Sequence, residues 1–173
     1  MAHMPTSRRD YRNARNDMNT RDALDDMARA LEEAEDRADS YLQEADTDHL
    51  TGLYNKRGMD RRTRSREWGW HVVADLNKFK QAQDEHPDGH AFGDSLLKEF
   101  SDYVRGQIRH TDVLGRTGGD EFTIWCETRA GAARISEIIT SWVSDCGTVT
   151  ASAGTGRSID DADRAMYINK TTD

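Results

Sequence analysis

The chain has 173 residues and a formal net charge of −8, with 32 acidic and 24 basic residues. That length leaves room for one globular domain and an appendage, and the acidic excess argues against a nucleic-acid partner. No apolar run approaches the roughly 20 residues that cross a bilayer, so we expect a cytoplasmic protein with no membrane partner.

A long N-terminal helix is the first predicted element and covers residues 5–47. Residues 1–4 resemble a cloning remnant and are set aside. Between Pro5 and Gly52 the chain contains no proline or glycine, and small or apolar residues recur in alternating steps of three and four. Those positions are Leu24, Met27, Leu31, Ala34, Ala38, Tyr41 and Ala45. This heptad spacing favours a parallel two-stranded coiled-coil stalk, and a single amphipathic helix packed on its own domain is the alternative.

Residues 48–173 alternate strands with helices, in the pattern of one α/β or α+β domain. The predicted helices cover residues 55–67, 93–109, 130–144 and 160–170. The predicted strands cover residues 69–76, 112–116, 122–126 and 148–153. Gly118 and Gly119 lie between the second and third strands, which indicates a tight hairpin. We therefore expect one sheet layered with helices.

Three carboxylates stand where a sheet can bring them together. Asp75 lies where an apolar strand ends, and Asp120 and Glu121 directly follow the two glycines of the hairpin. Hard oxygen ligands of this kind suit Mg²⁺ that carries a nucleoside triphosphate, and glycine lets backbone approach a phosphate closely. Lys80 and Lys170 add positive charge for such a ligand. On spacing alone, an ordinary solvated turn is an equally good interpretation.

Six segments, in order along the chain, resemble the motifs of the GGDEF family of diguanylate cyclases. Residues 118–122 read GGDEF itself. The others are residues 48–57 for DxLTGLxNRR, 75–80 for DxDxFK, 89–94 for GHxxGD, 149–154 for the late strand and 162–170 for ADxAMYxxK. One such motif can occur by chance, but six in register over residues 48–170 mark the chain as similar to this family.

The resemblance implies a palm-like fold, with a central mixed β-sheet flanked by helices and preceded by the N-terminal helical stalk. It also implies an activity, the condensation of two GTP molecules into cyclic di-GMP with release of pyrophosphate. Each active site of the family holds one GTP, so bond formation needs two sites that face each other. A homodimer formed through the N-terminal helix would supply them.

The catalytic and metal positions of the family match four residues of this chain. The resemblance implies that Asp75, the Leu76 carbonyl, Asp120 and Glu121 hold two Mg²⁺ or Mn²⁺ ions in each active site. Asp120 also matches the residue that accepts the proton of the 3′-hydroxyl group. Asp75, Asp120 and Glu121 are therefore the implied catalytic residues.

A further set of positions matches the family's contacts with the substrate. It consists of Phe79, Lys80, Gln83, His90, Asp94, Gly118, Gly119 and Lys170. Asp94 suits guanine, because a carboxylate can accept hydrogen bonds from N1–H and from the N2 amino group. Gln83 replaces the asparagine that is usual at its position and is longer by one methylene group, which leaves base selection open.

Arg109 and Asp112 match an inhibitory RxxD site that binds the cyclic di-GMP product. An arginine three residues before an aspartate is also common at helix ends, so a structural role is the alternative. Two other functions stay open for the whole chain. One is a catalytically weak or inactive module that binds cyclic di-GMP or GTP as a receptor, and the other is a cyclase that makes a different cyclic dinucleotide.

Overall fold

The structure is a computed structural model that describes residues 7–66 and 68–171. The chain divides into two units, Met1–Gln43 and Glu44–Asp173. The suggested cloning remnant at residues 1–4 lies outside the described residues. The predicted domain boundary between residues 47 and 48 stays a prediction.

Helix α1 spans Arg8–Asp46; its residues up to Gln43 belong to the first unit and its last three residues to the second. Glu33 and Arg37, four residues apart on this helix, form an ion pair with 3.9 Å between Glu33 Oε2 and Arg37 Nη2. Exposed pairs at this spacing contribute about 0.3–0.5 kcal/mol to a helix. Four apolar side chains of the predicted heptad are 60–70% exposed, namely Leu24, Met27, Leu31 and Tyr41.

The second unit contains a four-stranded sheet in the order β2-β3-β1-β4. Its strands are β1 at Trp70–Asn77, β2 at Val113–Arg116, β3 at Glu121–Cys126 and β4 at Thr150–Gly156. The expected palm-like sheet flanked by helices is confirmed. The prediction that the sheet is mixed is wrong for the described strands, because all three strand pairings are antiparallel. The reason is that β3 returns through the hairpin and lies between β2 and β1, which run in the same direction.

Helices of the second unit cover both faces of this sheet. They are α2 at Lys56–Thr63, α3 at Phe79–Glu85, α4 at His90–Arg105, α5 at Arg129–Thr140 and α6 at Ile159–Lys170. None of the described helices, α1 included, is long and apolar enough to cross a membrane.

Several boundaries differ from the sequence-based expectation. The sequence does not predict α3, because none of its seven residues is fully buried and no apolar period marks it. Helix α4 ends at Arg105, four residues before the predicted end, and Gly106 follows as its C-cap. Helix α5 ends at Thr140, although Trp142 beyond it still packs in the core.

Side chains alternate along β1 and so divide its residues between two cores. Val72, Ala74 and Leu76 are buried in the main core, which also contains residues of α4 and α5. Val73 points to the opposite face and packs with Met166 of α6. Full burial of side chains of this size stabilises a fold by about 1.5–3 kcal/mol each.

Helix α6 packs directly against β4, and this contact sets the position of Lys170. A Cβ atom on Gly154 would overlap the backbone of Ala162 and Met166, so no side chain separates helix from strand at this point. Lys170 is the last residue of α6, and its ammonium group contacts the carboxylate of Asp75 on β1.

Candidate active site

Asp75 lies at the centre of the site, near the end of β1. Its neighbours across the sheet are Glu121 on β3 and Ser152 on β4. Lys170 Nζ contacts Asp75 Oδ1, and the two side chains are 39% and 15% exposed, respectively. The sheet register and α6 thus bring together a lysine and a carboxylate that are 95 residues apart in the chain.

Asp120 lies in the hairpin that joins β2 to β3, next to the same strand end. Leu76 N–H donates to the Asp120 carbonyl oxygen at 3.3 Å, and this bond joins β1 to the hairpin. Burial raises the pKa of the Asp120 carboxyl group, and the nearby charge of Asp75 raises that pKa further. Lys170 and Arg116 only partly oppose this rise in pKa. The hairpin therefore holds the Asp120 carboxylate close enough to that of Asp75 on β1 for the two to repel each other.

The two hairpin glycines have different surroundings. The backbone N–H groups of Thr117 and Gly118 donate to the Glu121 carbonyl oxygen at 2.9 and 3.2 Å, which closes the turn. A Cβ atom on Gly118 would collide with the Glu121 side chain, whereas one on Gly119 would meet no atom within 4 Å in the described structure. The backbone at Gly119 is consequently open to a ligand.

Arg116 fastens the hairpin to the start of the domain. Its Nε and Nη2 atoms donate to the Gly119 carbonyl oxygen at 2.9 and 2.7 Å. Its Nη1 atom lies 3.2 and 3.1 Å from the two carboxylate oxygens of Asp48. Asp48 also accepts hydrogen bonds from the backbone N–H and the hydroxyl group of Thr51, at 2.9 and 2.7 Å.

This role of Arg116 is not among the sequence-based predictions. The Arg116 and Asp48 side chains are only 14% and 16% exposed. Burial alone would raise the pKa of Asp48, but the bonds from Thr51 and the guanidinium of Arg116 outweigh it and lower that pKa. A charged residue at the end of the buried strand β2 was the available signal, since buried charges need partners.

The predicted base-reading residues form a second group, on α3 and at the start of α4. Gln83 Nε2 lies 3.0 Å from His90 Nδ1. A Cβ atom on Gly93 would collide with the Gln83 amide, so this side chain lies against α4. Asp94 follows His90 by one helical turn and is exposed, like Lys80 on α3. Phe79 packs against the main core at the start of α3.

Arg109 and Asp112 form a compact turn. Arg109 N–H donates to Asp112 Oδ2 at 2.9 Å, and Asp112 N–H donates to the Arg109 carbonyl oxygen at 3.0 Å. One carboxylate oxygen of Asp112 therefore has a structural role. The Arg109 side chain is exposed.

Asp75 and Asp120 are two of the residues that are expected to bind the metal ions. Within residues 7–66 and 68–171, no three histidine, cysteine or acidic side chains are already arranged around a common point. The donor set nevertheless fits a hard divalent cation, because it consists of carboxylate oxygens. Burial and the charge of Asp75 raise the pKa of Asp120, and a bound cation would relieve the repulsion between the two carboxylates.

The chain is similar in sequence to a known family and to curated proteins. A family model described as "Diguanylate cyclase, GGDEF domain" matches residues 45–173. Diguanylate cyclase TpbB of Pseudomonas aeruginosa is 31% identical over 176 residues, which cover 85% of this chain and 40% of TpbB. Diguanylate cyclase DgcS of Shewanella oneidensis is 39% identical over 94 residues, which cover 50% of this chain and 31% of DgcS. The matches thus span two fifths or less of these curated relatives.

A solved structure is similar over most of the chain. It contains the coiled coil and GGDEF domain of DgcB from Caulobacter crescentus in complex with c-di-GMP, with a TM-score of 0.70 and 22% identity. The similarity covers 88% of this chain and 95% of that one. At this identity the comparison supports the fold.

Proposed function

The chain belongs to the GGDEF domain family, and from this premise we propose that it is a diguanylate cyclase, which condenses two GTP molecules into cyclic di-GMP and releases pyrophosphate. The observation that carries the proposal is the proximity of Asp75, Asp120 and Lys170 beside the open backbone of Gly119. Such a set of groups can hold the phosphates and accept the proton in phosphoryl transfer.

The proposed roles follow from the chemistry of each side chain. Two Mg²⁺ or Mn²⁺ ions, held by Asp75, the Leu76 carbonyl, Asp120 and Glu121, would neutralise the triphosphate and acidify the attacking 3′-hydroxyl group. Asp120 accepts the hydroxyl proton, a role that its raised pKa favours. Lys170 supplies positive charge at the phosphates from the end of α6.

The remaining proposed substrate contacts come from α3, the first turns of α4 and the hairpin between β2 and β3. Lys80 contributes a second cation for the phosphates, and the backbone at Phe79, Gly118 and Gly119 approaches them. Asp94 reads the N1–H and N2 amino groups of guanine from the first turns of α4. The Gln83 amide, held against His90, completes the base pocket. Asp94 favours guanine as the base, whereas Gln83 leaves an adenine-containing product open as the runner-up.

The activity is tested by incubating the purified protein with GTP, ATP or both in Mg²⁺ and resolving the products by chromatography and mass. We expect cyclic di-GMP from GTP alone, at a rate that rises more steeply than linearly with protein concentration. An adenine-containing product would contradict the proposed base pocket. Absence of turnover at every concentration, with retained GTP binding, would instead favour the receptor function.

A homodimer formed through α1 is part of the proposal, because each domain is expected to hold one GTP. The exposed apolar residues of α1 support it, since a second copy of the heptad would remove them from water. No nucleic-acid or membrane partner is proposed, and the cytoplasm is the proposed location because GTP is available there.

Leu31→Asp is expected to shift the concentration dependence of activity to about tenfold higher protein concentration. The change places a charge in the proposed seam, where the leucine would otherwise be buried against the partner. Sedimentation and rate measurements over a concentration series test the shift. Ser40→Asp adds the same charge at an exposed position outside the apolar seam of the heptad and serves as the control. An equal effect of both variants would contradict the seam.

Arg109→Ala is expected to weaken inhibition by cyclic di-GMP about tenfold, because loss of charge-assisted bonds to a phosphate costs about 1.5–3 kcal/mol. The expected result is a higher inhibition constant with an unchanged initial rate. Lys98→Ala removes an exposed cation of α4 and is the control. Unchanged inhibition in Arg109→Ala would mean that Arg109 and Asp112 have only a structural role, in forming the turn.

A further inference from the structure

A proline ends helix α3 and begins the turn that leads to α4. The residue before a proline is sterically disfavoured in the α-helical region. His86 precedes Pro87 and is accordingly extended, with φ −82° and ψ 139°, as the C-cap of α3. Gly89 ends the turn with a φ of 48°, in the left-handed region that favours glycine. We call residues 86–89 the α3–α4 turn, and the helices on both sides of it carry the predicted base-reading residues.

The imidazole ring of His86 stacks on the ring of Phe92. The ring centres are 3.8 Å apart and the planes differ by only 10°. The other two ring pairs that the described residues form are edge-to-face. Phe92 lies in the first turn of α4 and packs against the main core. Because stacked rings attract each other beyond the area that they bury, His86 ties the end of α3 to a helix that the core holds in place.

Hydrogen bonds also hold this histidine. The backbone N–H of Asp88 donates to His86 Nδ1 at 3.2 Å. The backbone N–H of Gly89 donates to the His86 carbonyl oxygen at 2.9 Å, and the N–H of His86 donates to the Ala82 carbonyl oxygen at 3.2 Å. The His86 side chain is 37% exposed. Its ring therefore has a defined position, unlike the ring of a freely solvated surface histidine.

Helix α3 contacts α4 at a second point, which is the predicted base-reading one. Gln83 precedes His86 by three residues, nearly one helical turn. Its Nε2 atom lies 3.0 Å from His90 Nδ1, and a Cβ atom on Gly93 would lie 2.5 Å from its Oε1 atom. The same short helix thus holds the Gln83 amide at one contact with α4, and the His86 ring that follows it makes the other.

Helix α3 is otherwise weakly held. None of its seven residues is fully buried, and Phe79 and Ala82 pack against the main core while staying partly exposed. A helix of this length is not stable in water by itself, so its position depends on tertiary contacts. Phe79 fixes its start, and His86 fixes its end. Without the stack, the end that carries Gln83 would be free to move relative to α4.

We propose that His86 is a positioning residue for the base of the nucleotide, because its stack on Phe92 fixes the place at which the Gln83 amide meets that base. The inference rests on the proposed function, in which Gln83 completes the base pocket. Gln83 is one methylene group longer than the asparagine usual at its position, so the position of α3 decides where its amide lies. An orienting group that is displaced by about 1 Å loses much of its effect. His86 lies between the motifs at residues 75–80 and 89–94, and the family resemblance assigns it no role.

The test is calorimetric titration of the full chain with α,β-methylene GTP and α,β-methylene ATP in Mg²⁺. These analogues cannot release pyrophosphate, so binding is measured without turnover. We expect the unmodified chain to prefer the guanine analogue. His86→Ala is expected to weaken binding of that analogue about fivefold, the typical loss for one stacked pair of rings, and to change binding of the adenine analogue little. The reason is that the adenine analogue depends on contacts with its phosphates, which His86 does not position.

Further variants test the stack as the cause. His86→Phe keeps a stacked ring and loses the Nδ1 acceptor, so it should retain most of the guanine preference. Phe92→Leu keeps an apolar side chain against the core and removes the stack, so it should match His86→Ala. Gln81→Ala is the control, because Gln81 is an exposed residue of the same helix whose amide donates to Glu85 on α3 itself. It should bind both analogues like the unmodified chain, and circular dichroism should show that each variant is folded.

Steady-state rates separate positioning from a merely structural role. In His86→Ala the KM for GTP should rise about fivefold with kcat nearly unchanged, whereas a general loss of structure would lower kcat and the melting temperature. The proposal would be overturned by unchanged guanine affinity in His86→Ala, an equal loss for both analogues, an equal effect in Gln81→Ala or a full loss in His86→Phe. Guanine-selective binding that falls in His86→Ala, without formation of cyclic di-GMP, would contradict the cyclase activity and retain the role of His86. No binding of either analogue to the unmodified chain would overturn both.

Discussion

Asp120→Asn is expected to slow the condensation of GTP about a thousandfold, within the range observed when a general base is removed. The amide keeps the shape of the side chain, but it cannot accept the hydroxyl proton and is a poorer ligand for a hard cation. Product formation under saturating GTP and Mg²⁺ measures the effect. Asp163→Asn makes the same chemical change at an exposed position of α6 and should retain full activity.

The same substitution is expected to maintain or raise stability. Burial and the charge of Asp75 raise the pKa of Asp120 in the folded protein. The charged carboxylate therefore lowers the free energy of unfolding at neutral pH, and this penalty disappears as the pH falls below the raised pKa. In metal-free buffer at pH 7, the melting temperature of Asp120→Asn should equal or exceed that of the unmodified chain.

These two results belong together and test the site more sharply than either alone. Loss of turnover with an equal or higher melting temperature would mean that Asp120 serves catalysis at the expense of the fold. Full turnover in Asp120→Asn would contradict its role as proton acceptor. Loss of turnover with a marked fall in melting temperature would mean that Asp120 is structural.

Arg116→Ala is expected to lower the free energy of unfolding by about 2 kcal/mol and to reduce turnover at the same time. Its guanidinium donates to Gly119 and Asp48 from a largely buried position. Removing the guanidinium leaves the negative Asp48 carboxylate buried without an opposite charge, which costs more than losing an exposed ion pair. The Gly119 turn also loses its fixed position, so the proposed phosphate contacts become less well ordered.

Thermal unfolding and cyclase rates of Arg116→Ala, Asp48→Asn and the double variant measure this clamp. The effects should be less than additive, because both changes break the same interaction. Arg164→Ala breaks an exposed ion pair with Asp161 and should have a much smaller effect on stability. Additive losses, or an Arg116→Ala variant as stable as Arg164→Ala, would contradict the clamp.

The clamp also predicts a pH dependence. The folded protein holds the pKa of Asp48 below its ordinary value. Its charged form therefore stabilises the fold above the ordinary aspartate pKa, about 4, and this contribution is lost as the pH falls through the lower folded-state pKa. The stability difference between the unmodified chain and Asp48→Asn should shrink in that acidic window.

The sequence by itself determined the local elements and the family. The apolar run at Val72–Ala74 predicts a buried strand, and Gly118 and Gly119 predict the hairpin, because both depend on neighbouring residues. Helix α3 escaped prediction because it is short and polar. The motif residues also identified Asp75 and Asp120 as candidates before their proximity was known.

Only the tertiary structure decided which distant residues meet. Arg116 and Asp48 are 68 residues apart, and Lys170 and Asp75 are 95 apart. Their contacts depend on the strand order β2-β3-β1-β4 and on the packing of α6 against β4, which no local pattern specifies. The antiparallel sheet has the same origin, since sheet order is set by burial of the whole core and not by the propensity of any one strand.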